Sequence, residues 1–334
     1  MVAKVVIVGA TTWGTALGIT LARKQVDVCL LTRTPEEAHL LIADGQHKRF
    51  LPGIKFPESL VVSGVPDEVV PQAGLIIIVV PSDRLRQNVL RIKEYISPGT
   101  LMVSASKGLE LPGGKRMSQV LEEELPDHLH PGICALSGPN FAKEIVQGKP
   151  ASTVVAGKDA DKVEQAQAIL MTSAFRVYTS DDLIGVELGG ALKNIIALGA
   201  GIADGMNMGD NGKAAFVTRG LAEIARLGAA AGANPLTFAG LAGLGDLFAT
   251  CVSPLSRNRY VGEQLAAGRS WPEIRESMDN VAEGVNTTGA ALAMAGQLGV
   301  EMPITQVTYR ILFEGLSTQE AVAELMERPP RSEL

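Results

Sequence analysis

The chain has 334 residues, of which 46% are hydrophobic, 20% charged and 4% aromatic, with 36 glycines. That length exceeds what one hydrophobic core usually organises, so two domains are expected, and the apolar-to-charged balance excludes a disordered or collagen-like chain. A net charge of −6 offers polyanions no general attraction, so no nucleic-acid partner is expected and any phosphate site must be local.

The longest strongly apolar run, Leu75 to Val80, is too short to cross a bilayer, and membrane insertion is not expected. Cys29, Cys134 and Cys251 lack the pairing of a zinc site and the density of a disulfide scaffold, which fits a reducing, cytoplasmic setting. His39, His47, His128 and His130 show neither a His-x-x-x-His pair nor a neighbouring Cys-x-x-Cys, so no metal is expected and all four read as surface residues.

Lys4, the apolar run Val5 to Ala10 and the small residues after it imitate a signal peptide, but the run is shorter than a usual apolar leader core and reads as a strand. Strands are expected at Lys4 to Val8, Asp27 to Thr32, Leu75 to Val80, Thr100 to Ser104, Gly132 to Leu136 and Ser152 to Ala156. Their interiors do not alternate in polarity, as expected when both faces of a sheet are covered. Helical stretches separate them, so the first half reads as an α/β, Rossmann-like domain with parallel strands and crossover helices, over residues 1 to 184.

The first strand runs into Gly9-Ala10-Thr11-Thr12-Trp13-Gly14 and then a helical stretch from Thr15 to Arg23. A dinucleotide turn needs a glycine where the chain reverses, backbone amides aimed at a pyrophosphate, and a glycine where helix meets strand. Gly9 and Gly14 meet the outer requirements. Thr11 replaces the middle glycine, so its side chain either weakens cofactor approach or turns a hydroxyl onto a phosphate oxygen; a tight turn without ligand is the plain alternative. The second strand ends Leu31-Thr32-Arg33 without the acid that reads an NADH ribose, and Arg33 suits a 2′-phosphate. NADPH is therefore favoured, with NADH still admissible.

The other strand ends are polar or turn-forming: Pro81-Ser82, Ser106-Lys107-Gly108 and Ser137-Gly138-Pro139-Asn140. In an open parallel sheet such edges face the ligand crevice, where Lys107 can reach a carbonyl or phosphate oxygen.

From about Asp181 strand-like runs disappear, and Ala-, Leu- and Gly-rich segments continue with breaks at Gly209 to Gly212, Asn234-Pro235, Ser253-Pro254 and Met302-Pro303. An all-helical domain is expected over residues 185 to 334, with a disordered tail from Arg328 to Leu334. Between Leu188 and Ala203 only Lys193 and Asn194 are neither apolar nor glycine, so the helix should be buried. Gly189, Gly190, Ile196 and Ala197, three and four positions from Lys193, offer no carboxylate. Desolvation should then lower the lysine's pKa and fit it to exchange a proton with a hydroxyl or carbonyl. The alternatives are a head group reaching water or pairing with a distant acid such as Asp246, which follows the Gly240 to Gly245 turn. Ser253 to Arg259 combines hydroxyl, amide and guanidinium donors at a helix start, where Arg257 can grip phosphate; ordinary helix capping competes with that reading.

Taken together, Trp13 to Leu17, Ser104 to Glu110, Ser137 to Ala142, Gly189 to Asn194, Gly243 to Leu247 and Ser253 to Arg259 strongly resemble the bacterial NAD(P)-dependent glycerol-3-phosphate dehydrogenases over nearly the whole chain. Thr11 is the one clear departure. The resemblance implies Lys193 as proton donor or acceptor, with Lys107, Gly138, Asn140, Asn194, Asp246, Ser256, Arg257 and Asn258 around the substrate. It implies Gly9, Thr12, Trp13, Gly14, Arg33, Phe50, Lys107, Ala142, Arg257, Val281 and Glu283 near the cofactor, NADP or NAD. The implied activity interconverts dihydroxyacetone phosphate and sn-glycerol 3-phosphate, a phosphorylated three-carbon pair, and supplies phospholipid synthesis from a homodimer. A reductase of another small keto or hydroxy acid and a non-catalytic dinucleotide sensor are the alternatives.

Overall fold

The computed structural model describes residues 4–278, 282–330 and 332–333. The first half runs β1 (Lys4–Val8), α1 (Thr12–Arg23), β2 (Val28–Leu31), α2 (Pro35–Asp44), β3 (Leu60–Ser63), α3 (Pro66–Val69), β4 (Ala73–Ile78), α4 (Leu85–Ile92) and β5 (Leu101–Ser104). It continues with a small hairpin of β6 (Leu109–Glu110) and β7 (Lys115–Arg116), then α5 (Met117–Glu124), β8 (Ile133–Ser137), α6 (Ala142–Val146), β9 (Ala151–Gly157), α7 (Ala160–Leu170) and β10 (Phe175–Ser180).

Eight of these strands form one sheet in the order β10-β9-β8-β5-β4-β1-β2-β3. Alternate residues of each central strand serve opposite layers. Val5, Ile7, Leu75 and Ile77 join the core on one face, and Val6, Val8, Ile76 and Ile78 the core on the other. Both faces are therefore dry, which explains the absence of alternating polarity. The order reverses between β1 and β4, and at such a switch point the loops beyond the strands' carboxyl ends open a crevice.

Two corrections concern the sheet. The expected set of strands omits β3 and β10, the two edges: β3 is only four residues long, with three apolar residues in a row, and in β10 the exposed Arg176 and Tyr178 interrupt the buried Phe175 and Val177. The sheet is not wholly parallel either: β9 pairs antiparallel with β8, and β10 then runs parallel to β9.

After Ser180 every regular element among the described residues is helical: α8 (Leu183–Gly205), α9 (Gly209–Ala230), α10 (Asp246–Val252), α11 (Arg257–Ala266), α12 (Trp271–Glu276), α13 (Glu283–Leu298), α14 (Pro303–Phe313) and α15 (Thr318–Met326). The expected domain limit at residue 184 falls in the first turn of α8. The break expected at Gly209 to Gly212 lies instead at residues 206–208, because Gly209, in a left-handed conformation with φ of 74°, already starts α9. Beyond Met326 the described residues form no helix or strand, and Arg328 pairs with Glu301.

α8 is long and apolar enough to span a membrane, yet 89% of its most apolar window is buried inside the protein. It is the core helix of the second half, packed through Leu188, Leu192, Ile195 and Ile196. Two buried carboxylates fix its surroundings. Glu187 on α8 accepts hydrogen bonds from Ser118 N at 2.7 Å, Ser118 Oγ at 2.6 Å and Arg116 Nη1 at 2.6 Å, capping α5 and fastening α8 to the first half. Glu223 on α9 accepts from Ile304 N at 2.9 Å, and from Thr305 N and Thr305 Oγ1 at 2.8 Å each, which caps α14.

Candidate active site

Gly9 leaves β1 with φ of 112°, and a Cβ there would lie 2.6 Å from the Val79 carbonyl oxygen. A Cβ on Gly14 would collide with the Gly9 carbonyl, so both glycines are required by the close passage of turn, helix and neighbouring strand. The Thr11 hydroxyl is committed within the turn rather than turned onto a phosphate oxygen. It accepts from Gly14 N at 3.1 Å and donates to Val79 O at 3.0 Å, so it caps α1 and fastens the turn to the end of β4. The amides of Thr12 and Trp13 are left without helical acceptors and available to an anion.

Around this turn, Trp13 packs edge-on against Phe175 with centroids 6.1 Å apart, and its buried Nε1 has no hydrogen-bond partner. Phe50 stacks on His47 at 4.5 Å, and His47 Nε2 donates to Ala10 O at 3.0 Å. His47 is therefore not a surface residue: only 6% of it is exposed, burial pushes its pKa down, and it holds the Phe50 loop against the glycine turn. Arg33 stands at the end of β2, exposed, and pairs with Glu37. Ala142 begins α6, and Val281 lies outside the described residues.

The second cluster forms where α8 crosses the carboxyl end of β8. A Cβ on Gly190 would collide with the Ser137 hydroxyl, and one on Gly189 would lie 2.6 Å from Ala242 O. These two glycines let α8 sit between the sheet and the π-helical turn Leu241–Gly245 that leads into α10. Lys193 and Asp246 meet there. Lys193 Nζ donates to Asp246 Oδ1 at 2.8 Å and to Thr250 Oγ1 at 2.6 Å, while the Thr250 hydroxyl donates to the Asp246 carbonyl at 2.6 Å. Lys193 is 7% and Asp246 2% exposed, so the pair is largely withdrawn from water. Along its own helix the ammonium has no carboxylate partner, as expected, and of the two alternatives it is the pairing with the distant Asp246, carried by α10, that is observed.

From the first half, Lys107 Nζ donates to the other oxygen of the same carboxylate, Asp246 Oδ2, at 2.6 Å and to Gly138 O at 2.7 Å. Burial pushes the Lys107 pKa down to about 8; Asp246 opposes that shift and Lys193 adds to it. Asn140 Nδ2 donates to Thr153 Oγ1 at 2.9 Å, which leaves its buried Oδ1 without a partner and available to a donor.

On the helical side, Ser256 caps α11 by accepting from Arg259 N at 3.2 Å, and Arg257 is exposed in the first turn, facing the Glu283 carboxylate. The Asn258 amide is mostly committed to packing, with Nδ2 donating to Asn194 Oδ1 at 2.9 Å and Oδ1 accepting from Gly284 N at 3.0 Å. Asn194 and Asn258 thus join α8, α11 and the start of α13. Glu283 accepts from Ser82 Oγ at 2.7 Å across the two halves. Sequence reasoning placed Ser82 at the crevice without its partner Glu283, and it missed Thr250 and Glu37. Thr250 was legible as the residue four after Asp246, on the same helix face.

The donor set suits a dinucleotide: a glycine turn with free amides, an indole N–H without a partner, and an unpartnered amide oxygen at the sheet's carboxyl edge. Residues 4–163 match the family described as NAD-dependent glycerol-3-phosphate dehydrogenase N-terminus, and residues 182–323 match its C-terminus. The chain belongs to the NAD-dependent glycerol-3-phosphate dehydrogenase family. It is 49% identical to glycerol-3-phosphate dehydrogenase [NAD(P)+] of Dehalococcoides mccartyi, over 99% of this chain and 92% of that one. The relative of the same name from Moorella thermoacetica is 46% identical over 99% of this chain and 97% of that one. The crystal structure of glycerol-3-phosphate dehydrogenase from Coxiella burnetii superposes with a TM-score of 0.92 at 37% identity, covering 98% of this chain and 99% of that one. In this chain the glycine turn and Lys107 fall in the first matched part and the lysine-bearing helix in the second, and Asp246 joins Lys107 to Lys193.

Proposed function

We propose that the protein catalyses reversible, NAD(P)-dependent reduction of dihydroxyacetone phosphate to sn-glycerol 3-phosphate. The observation that carries this reading is the pair of lysines on one buried carboxylate, beside a crevice suited to a dinucleotide. When bound, the nicotinamide supplies the hydride that reaches the ketone carbon, or accepts it in the reverse direction.

Lys193 passes its proton to the ketone oxygen as charge develops there, and Asp246 and Thr250 hold its Nζ in place for that transfer. Lys107 provides a second cation from the sheet side. At the other end, Arg257 and the free first-turn amides of α11 take the phosphate, so substrate binding also orients the reacting carbon. Gly138, Asn140, Asn194 and Asn258 are assigned to the substrate, and Trp13, Thr12, Arg33, Phe50, Ala142, Val281 and Glu283 to the cofactor. Supply of glycerol 3-phosphate to phospholipid synthesis, a cytoplasmic setting and a homodimer belong to the same proposal, which the full-length likeness to relatives named glycerol-3-phosphate dehydrogenase [NAD(P)+] supports in its activity.

The test is oxidation of NADPH and NADH by the purified protein. Dihydroxyacetone phosphate should support turnover and unphosphorylated dihydroxyacetone should be a poor substrate, because it leaves the phosphate donors unpaired. Equal use of both, or preference for a keto acid, would overturn the assignment.

A further inference from the structure

Just beyond β2, where a fold of this kind reads a dinucleotide's adenosine ribose, Arg33 of the strand end pairs with Glu37 from the first turn of α2. Glu37 Oε2 accepts from the Arg33 backbone N–H at 3.1 Å and lies 3.5 Å from Arg33 Nε. The Arg33 side chain is 80% exposed and that of Glu37 28%. Beneath them the backbone is fixed: Arg91 donates to Thr32 O at 2.8 Å and to Gly64 O at 2.9 Å, and Thr32 Oγ1 donates to Thr34 O at 2.8 Å. The Arg91 guanidinium is thus engaged with carbonyls, and Arg33 and Glu37 are the two charged side chains in this group that remain open to a ligand.

In this fold a carboxylate at the end of the second strand accepts the ribose 2′-hydroxyl of NADH, whereas an arginine there accommodates the 2′-phosphate of NADPH. This chain has both. The acid comes not from the strand end but from the first turn of α2, which is why Leu31-Thr32-Arg33 alone reads as favouring NADPH. We propose that Glu37 is a specificity-determining residue that keeps the enzyme competent with both cofactors. It offers an acceptor to the NADH 2′-hydroxyl, and it restrains NADPH binding by pairing with Arg33 and repelling the 2′-phosphate. An exposed ion pair is weak, so a phosphate can displace Glu37 from the guanidinium.

The plain structural role of Glu37 is to hold the start of α2, where its own amide donates to Thr34 Oγ1 at 3.3 Å. Glu37→Gln separates the two roles, because the amide oxygen still accepts from Arg33 N–H while the charge is gone. The inference rests on the proposed NAD(P)-dependent function, so the test is equilibrium binding by calorimetry with NADH, NADPH and 2′,5′-ADP, independent of turnover.

In Glu37→Gln, NADPH and 2′,5′-ADP should bind about fivefold tighter and NADH about fivefold weaker, on the scale of one exposed charge interaction. Arg33→Gln should weaken NADPH by about tenfold or more, the loss expected for a charge-assisted phosphate contact, with NADH changed less than twofold. Unchanged constants, or NADH and NADPH moving together in Glu37→Gln, would overturn the proposal; so would Arg33→Gln leaving the NADPH-to-NADH ratio intact. Failure of the wild-type protein to bind either dinucleotide would instead overturn the functional reading on which it rests.

Discussion

Lys193 and Asp246 lie 53 residues apart in the chain and meet at 2.8 Å in the interior. One is carried by the long core helix and the other by the first turn of α10, and Gly189 lets that helix pass close to the turn that leads into α10. The second oxygen of Asp246 holds Lys107 from the sheet domain, so one carboxylate registers the two halves of the crevice against each other.

Asp246→Asn removes the negative charge that both ammoniums share. Leaving a buried ion pair without one partner costs about 3–5 kcal/mol. Denaturant unfolding should show a loss of that order, and kcat should fall with it. Wild-type stability together with wild-type kcat would show that the two lysines do not depend on this carboxylate.

Lys107, with its pKa pushed down to about 8 by burial, gives a pH signature. Above pH 8 it loses the proton that an unfolded lysine keeps until about 10.5. The unfolded chain then binds more protons across that window, so this residue's contribution to stability rises with pH there. Activity should move the other way: kcat/KM for dihydroxyacetone phosphate should fall as pH rises through about 8, as a cation facing the substrate is lost. Lys107→Met should lower kcat/KM and flatten that limb, and an unchanged limb in the variant would assign it to another group.

Much of the fold was legible because the central strands are covered on both faces and read as unbroken apolar runs. The edges β3 and β10 were not, since β3 offers only three apolar residues and the buried Phe175 and Val177 of β10 are separated by exposed Arg176 and followed by exposed Tyr178. Nor does composition encode direction, so the antiparallel turn of β9 could not be read. Within the site, Lys193 stood out because a lysine amid Leu, Ile and Ala is costly to bury. Asp246 was legible as a possible distant partner, whereas the choice between that pairing and a hydrated head group, and the part played by Thr250, are decided by tertiary packing. His47 and Glu37 escaped for a related reason: each looks like an ordinary surface residue until the loop or helix carrying it folds back on the strand ends.

Glu223 tests stability apart from catalysis. Glu223→Ala leaves the Ile304 and Thr305 amides buried without their acceptor, which costs about 1–3 kcal/mol. Urea unfolding should show that loss, while the KM for dihydroxyacetone phosphate stays within about twofold, since Glu223 lies outside the proposed machinery. Undiminished stability would mean that water or another group caps α14.

The account turns on Lys193 as the group that exchanges a proton with the substrate oxygen. The most direct measurement is single-turnover reduction of dihydroxyacetone phosphate by Lys193→Ala with NADPH already bound, with and without added alkylamines. Cofactor affinity should stay close to wild type, the chemical step should slow by about 10²–10⁴-fold, and added amine should restore part of the rate. A chemical step at the wild-type rate would contradict that role for Lys193.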